Sequence, residues 1–287
     1  MLKTLSFALI YISFFCNIIQ ANDFALLKDL DYKSFNCYFH NAERSKEYIK
    51  YLSVSLKIIS LNQDGSCNTG SGSIVYYDSA KNLAYVASCG HFWNSGVFSV
   101  GKCNQKGCSV VSYYQNEKKM LTPRTYPAEV IFYSNVRGQD TSLITFSPDW
   151  VPKYIPIAPV NHKIEKNKPY HSLGCDTGSE VAHYKVIYIH KNEYKDLITR
   201  ENSPRHGRSG GGLFDENFYI GTCWGTSLEN GSGEGLFTSL EIIHNFWSQQ
   251  EDYKFLLNVK RKGILKIIDR NNSQKEYKED YVFSPSN

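Results

Sequence analysis

Ser209 stands in the run Gly207 to Phe214, GRSGGGLF, a hydroxyl set among glycines just ahead of an apolar stretch. A glycine-rich bend lets backbone N–H groups converge on one point, because glycine takes conformations that a Cβ forbids. Converging N–H groups can hold an oxyanion, so the chemistry open to Ser209 is attack on a carbonyl, provided a base stands close. A lone GxSxG describes a polar turn between strands equally well, and its partners must decide. In one arrangement a buried strand runs straight into the serine and the acid and histidine follow it in the chain. Thr199 to Arg208, TRENSPRHGR, is too polar to be that strand. In the other arrangement histidine and acid come first, and the partners lie upstream.

Of the eight histidines, His91 has the most telling context. It follows GSGSIV, a polar turn and the apolar run NLAYVAS, so its imidazole emerges at the end of a buried strand and is held there. A histidine taken alone is more often structural than catalytic. Asp140, in RGQDTSLITF, precedes the alternating run SLITF, at the start of a strand with its carboxylate free to face a cleft. An aspartate capping a strand entry fits that position too. The order His91, Asp140, Ser209 favours chemistry.

The elements that must position these groups are β-strands. The 287 residues, 41% hydrophobic and 14% aromatic, suffice for one sizeable core or two small fused barrels. Strands are expected at SVSLKIIS, GSGSIVYY, NLAYVAS, AEVIFYS, SLITF, PYHSLGC, AHYKVIYIH and FYIGTCWG. A cysteine-bearing loop and an irregular lysine-rich stretch near Glu117 to Arg124 interrupt them. GEGLFTS then leads into LEIIHNFWSQQ, whose apolar spacing predicts a closing helix. Residues 22–50 read as an N-terminal extension with a short helix capped by Asn41. Residues 250–287 read as a polar, loose tail.

Residues 1–21 have a positive start at Lys3, an apolar middle and small Ala21 at the end, the pattern of a signal peptide. Export to a secreted or periplasmic location follows, with no stable membrane association after cleavage. Loss of the leader removes Cys16 and leaves seven of the eight cysteines, an odd number. Cys103 and Cys108, in KCNQKGC, are close enough to staple one loop, and a bridge between them is expected in an oxidising compartment. The net charge of +4, from 32 basic and 28 acidic residues, includes no long basic block, which argues against a nucleic-acid partner.

Together these segments resemble the trypsin-like serine proteases of the chymotrypsin fold class, over residues 51–249. GSGSIV before the strand into SCGH resembles the segment carrying that family's histidine. DTSLITF resembles the strand of its aspartate, and GRSGGGLF with IGTCWG resembles its nucleophile loop and substrate strand. RSGGGLFD with SLGCD reads most like the bacterial trypsin-like peptidase domains.

The resemblance implies an all-β fold of two six-stranded antiparallel β-barrels with a C-terminal helix, a polypeptide substrate, and neither cofactor nor metal. It implies a triad of His91, Asp140 and Ser209, an oxyanion hole from the N–H groups of Gly207 and Ser209, and a substrate strand at Cys223, Trp224 and Gly225. A non-catalytic peptide-binding barrel and a GxSxG esterase are the competing readings. Arg208 stands where zymogen-activated relatives have aspartate, so the loop must be held by its own glycines, or by a carboxylate or carbonyl that Arg208 reaches. Ser203 near the expected base of the specificity pocket argues against a simple preference for basic residues.

Overall fold

Alternation of apolar and polar side chains builds the first strands. Leu56 and Ile58 of β1 (Ser55–Leu61) point into a core while Lys57 and Ile59 are less covered. The computed structural model describes residues 50–61, 67–93, 107–115, 121–178, 181–227, 233–261, 265–268, 274–277 and 281–283. The expected leader, the Asn41 helix and Cys103 lie outside these residues. Among the described residues, no helix is long and apolar enough to cross a membrane.

Strand β1 pairs with β2 (Cys67–Asp78), and β2 turns into β3 (Leu83–Ser88). That turn is the predicted DSAK: the Asp78 carboxylate accepts the N–H groups of Ala80 and Lys81, and Asn82 takes a positive φ of 50°. With β4 (Gly107–Gln115), β5 (Leu121–Ser134) and β6 (Thr141–Phe146), these close a barrel in the order β1-β2-β3-β6-β5-β4. All six residues of β6 are buried, since one face fills the barrel and the other lies under the rest of the chain.

The second barrel closes in the order β10-β11-β12-β9-β8-β7. Its strands are β7 (Pro169–Gly174), β8 (Ala182–Lys191), β9 (Leu197–Arg200), β10 (Gly212–Asp215), β11 (Phe218–Ser227) and β12 (Glu234–Ser239). Two closed six-stranded antiparallel barrels are therefore present, as expected. Closure leaves neither barrel with an open edge.

Helix α1 (Leu240–Trp247) belongs in sequence to the second barrel but packs back onto the first. Its Leu240, Ile242, Ile243, Phe246 and Trp247 are buried, and Phe246 and Trp247 meet the Phe132 ring edge-on at 5.7 and 5.5 Å. Full burial of such a side chain contributes about 1.5–3 kcal/mol, which ties the chain's end to its beginning.

Three local expectations need correction. The stretch ending at Arg124 is not irregular throughout, because Leu121 to Arg124 are the start of β5, paired with β4. Strands β4, β9, β10 and β12 were not among those expected. Nor is the tail loose from residue 250. A 3-10 segment, Glu251–Leu257, buries Leu256 and Leu257 and sets Phe255 edge-on against Tyr76 and Tyr85 of the first barrel. Beyond it, Val259–Arg261 pairs with Tyr281–Phe283, and Leu265–Ile268 with Gln274–Tyr277.

Candidate active site

The end of β3 carries Cys89 and Gly90 into a 3-10 turn, His91–Trp93. Gly90 allows the close approach here, since a Cβ would fall 1.8 Å from the Ser134 carbonyl oxygen. Trp93 anchors the turn, fully buried with its indole N–H donating to Ser142 Oγ at 3.0 Å. Ser142 Oγ in turn donates to the Cys89 carbonyl at 2.9 Å.

Asp140, one residue before β6, is 7% exposed. Its Oδ1 accepts the N–H groups of Gly90 and His91 at 2.5 and 2.9 Å, and its Oδ2 lies 2.5 Å from His91 Nδ1. A carboxylate can only accept, so Nδ1 carries a proton, and Nε2, with Cys89 Sγ 3.9 Å away, is the ring atom left for other work. Burial pulls the His91 pKa down, but Cys89 and Asp140 outweigh it and raise the value. Solvent reaching the side chain, which is 40% exposed, screens that effect. The Thr238 hydroxyl holds the Asp140 carbonyl at 2.7 Å from the second barrel.

Ser209 lies on the loop between β9 and β10, and the other barrel holds it through Ser71. The Ser71 N–H donates to the Ser209 carbonyl at 2.8 Å. Ser71 Oγ donates to the Gly207 carbonyl at 2.7 Å and accepts the Cys175 N–H at 2.8 Å. The Ser71 carbonyl accepts from Ser88 Oγ at 2.8 Å. The N–H and the hydroxyl of Ser71 thus both fasten the loop, while its carbonyl is tied to its own barrel. Gly210 completes the fit with φ +85°, and a Cβ there would sit 2.0 Å from the Ser71 carbonyl oxygen.

Within the loop, the N–H groups of Arg208, Gly210 and Gly211 donate to Arg205, Cys223 and Arg208 carbonyls. Those of Gly207 and Ser209, the two expected oxyanion donors, have no backbone acceptor among the described residues. Ser209 Oγ makes no hydrogen bond to His91 among the described residues. The structure joins His91 to Asp140 and leaves the serine unjoined. Catalytic hydrogen bonds are often loose until substrate is bound.

Arg208 reaches a carboxylate, one of the partners its position demanded. The guanidinium is 1% exposed and bidentate on Asp176, through Nε at 2.7 Å and through NH2. NH1 donates to the Asn202 carbonyl at 2.8 Å, and the guanidinium carbon lies 3.7 Å from the Tyr184 ring centroid. Tyr184 also donates its hydroxyl to Asp176 at 2.8 Å. Burial raises the Asp176 pKa, but these hydrogen bonds outweigh it and hold the carboxyl below its ordinary value.

The substrate strand needs one correction. Cys223 is fully buried, and its N–H and carbonyl are both spent on the nucleophile loop, to Gly211 at 2.8 Å and from Gly210 at 2.7 Å. Its N–H is taken, its side chain is sealed, and its carbonyl already accepts one bond. Trp224 and Gly225 are half-exposed, and a Cβ on Gly225 would meet nothing within 4 Å. Sequence reasoning missed Ser71 as the clamp; the GSG around it marked a strand but named no partner.

Among solved structures, the chain is similar to the serine endoprotease from Yersinia pestis, with a TM-score of 0.53 at 15% identity over 72% of this chain and 64% of that one. The fold is that of the trypsin-like serine proteases. The Rv3671c protease from M. tuberculosis in its active form gives a TM-score of 0.52 at 14% identity, over 69% of this chain and 81% of that one. The chain thus spans under two thirds of the Yersinia structure's length. No protein-family model matches the sequence, and no curated protein matches it significantly.

Proposed function

We propose that this protein is an exported serine endopeptidase acting through Ser209, His91 and Asp140. The observation that carries the reading is the Asp140 carboxylate 2.5 Å from His91 Nδ1, which leaves Nε2 as the base. Substrate binding brings the Ser209 hydroxyl to that base. Ser209 Oγ attacks the scissile carbonyl while His91 Nε2 takes its proton, and Asp140 stabilises the imidazolium that forms. The tetrahedral oxyanion accepts from the Gly207 and Ser209 N–H groups, which no backbone acceptor occupies among the described residues. His91 returns the proton to the leaving amine, and water then hydrolyses the acyl-enzyme by the same route. Trp224 and Gly225 lie along the extended peptide.

Arg208 is already satisfied by Asp176, so the mature protein needs no second cut near residues 50–60 to order its loop. Tyr51, Leu52 and Val54 there are buried, which fits an uncut chain. Labelling of Ser209 in a form made uncleavable over residues 50–60 tests this; labelling that requires a cut contradicts it. The missing hydrogen bond between His91 and Ser209 favours a second reading, a peptide-binding barrel without turnover. Reaction with a serine-directed fluorophosphonate separates the two, since only an activated serine is labelled.

A further inference from the structure

The proposed reaction leaves unused the sulfur nearest to its base. Cys89 is fully buried at the end of β3 and reduced, with Sγ 3.9 Å from His91 Nε2. Cys89, His91 and Asp140 each offer a ligand atom, and these lie within 4.8 Å of one another. We propose that Cys89 Sγ and His91 Nε2 form a binding site for a zinc-type divalent cation, and that filling it switches off the base.

The geometry suits such an ion. Zinc binds thiolate at about 2.3 Å and imidazole at about 2.0–2.1 Å, and an ion at those lengths across a 3.9 Å gap subtends an angle of about 125–130°, about 15–20° wider than a regular tetrahedron, which a small inward shift of either side chain would close. Metal-binding histidines nearly always donate their other ring N–H to a carboxylate or carbonyl, which fixes the ring and raises its basicity. Asp140, 2.5 Å from Nδ1, is such a partner. The donors also select the metal. One thiol and one imidazole suit a borderline-soft ion, whereas magnesium and calcium need several oxygens and find one carboxylate already engaged.

The 40% exposure of the His91 side chain gives the ion a way in and leaves its remaining positions to water. Binding breaks the Cys89 S–H bond, releases that proton to solvent and forms the metal–sulfur bond, with no change of oxidation state. The Nε2 lone pair is then held by the metal and cannot accept the Ser209 proton. That inhibitory consequence rests on the serine-protease reading; the site itself does not. This site departs from the expectation of no metal, and the ion takes no part in the peptide-cleaving chemistry.

Cobalt(II) tests the site without any need for turnover, because thiolate ligation gives it a charge-transfer band in the near ultraviolet. The chelator-treated, full-length mature protein should develop that band with cobalt and lose it when zinc is added. Cys89→Ala and His91→Ala should each abolish the band, while Cys67→Ala keeps it. No band in the parent protein, or a band that survives Cys89→Ala, overturns the proposal. Fluorophosphonate labelling, each protein compared with itself under chelator, should be suppressed by zinc in the parent and not in Cys89→Ala. Equal suppression in both overturns the inhibitory role. Absence of labelling in the chelator-treated parent contradicts the protease reading, and the cobalt spectrum still decides the site.

Discussion

Two buried carboxylates, one serving each functional arm, are held in contrasting ways. Asp140 is fixed by backbone N–H groups of its own barrel and has one oxygen committed to the exposed imidazole of His91. Asp176 is fixed mainly by side chains, with both oxygens committed to the fully covered guanidinium of Arg208 and one long backbone bond from the Arg205 N–H at 3.3 Å. The first carboxylate faces solvent through its partner and can stabilise a charge that develops on that ring. The second is sealed and can only hold the loop in place. Burial of the partner, more than burial of the carboxylate, distinguishes a chemical role from a supporting one.

The largest effect should come from Asp140→Asn. It keeps the shape but gives the imidazole the wrong tautomer, so peptide hydrolysis should fall about 10,000-fold with stability changed far less. Steady-state rates beside denaturant unfolding check this. Arg208→Met should show the opposite pattern in stability, because it leaves Asp176 as a buried charge without its main partner. A loss of about 3–5 kcal/mol is expected, with part recovered in Arg208→Met combined with Asp176→Leu. If Arg208→Met is neutral in unfolding, the sealed pair is not what holds the loop.

Ser71→Ala probes the clamp between the barrels. It removes the donor to the Gly207 carbonyl and the acceptor of the Cys175 N–H, so a cost of about 1–3 kcal/mol is expected. Labelling of Ser209 should slow as well, since small misplacements of a reacting group are costly in rate. Full labelling speed in Ser71→Ala would show that the glycines hold the loop unaided.

The smallest effect concerns acid. The Asp176 carboxyl is held below its ordinary value because hydrogen bonds from Arg208 and Tyr184 overcome its burial; His162 first, then Lys168, does the same for Asp215. A folded-state pKa below the unfolded one gives stability that is present above the ordinary carboxylate pKa of about 4 and lost as pH falls below it. Denaturant midpoints should therefore hold steady from neutral pH to about 5 and fall below about 4. In Arg208→Met the Asp176 share of that fall should vanish, because burial then raises its pKa.

The same contrast explains what the sequence made legible. His91 and Asp140 each adjoin a strand with a clear apolar pattern, β3 and β6, so local pattern and chain order were enough. The barrels were legible for the same reason, with β4, β9, β10 and β12 the losses. β9 has only four residues and runs into the polar stretch that hid it. The β4–β5 hairpin was obscured by the lysine-rich residues around its turn. The loop's fastenings were not legible, because they join residues far apart: Ser71 to Gly207 across 136 positions, Cys175 to Ser71 across 104 and Arg208 to Asp176 across 32. No local pattern encodes such pairs. Arg208 announced the need for a partner but could not name it. Cys223 was misplaced because the motif around it set a strand but not which of its groups the nucleophile loop would consume.

Activation of Ser209 as a nucleophile by His91 is tested most directly by fluorophosphonate treatment of chelator-treated protein, with the modified residue located by peptide mass spectrometry. A single adduct on Ser209 is expected, absent in Ser209→Ala and strongly slowed in His91→Ala while both variants unfold at the parent's denaturant midpoint. No adduct on the folded parent protein, or an adduct on another serine that persists in Ser209→Ala, would contradict it.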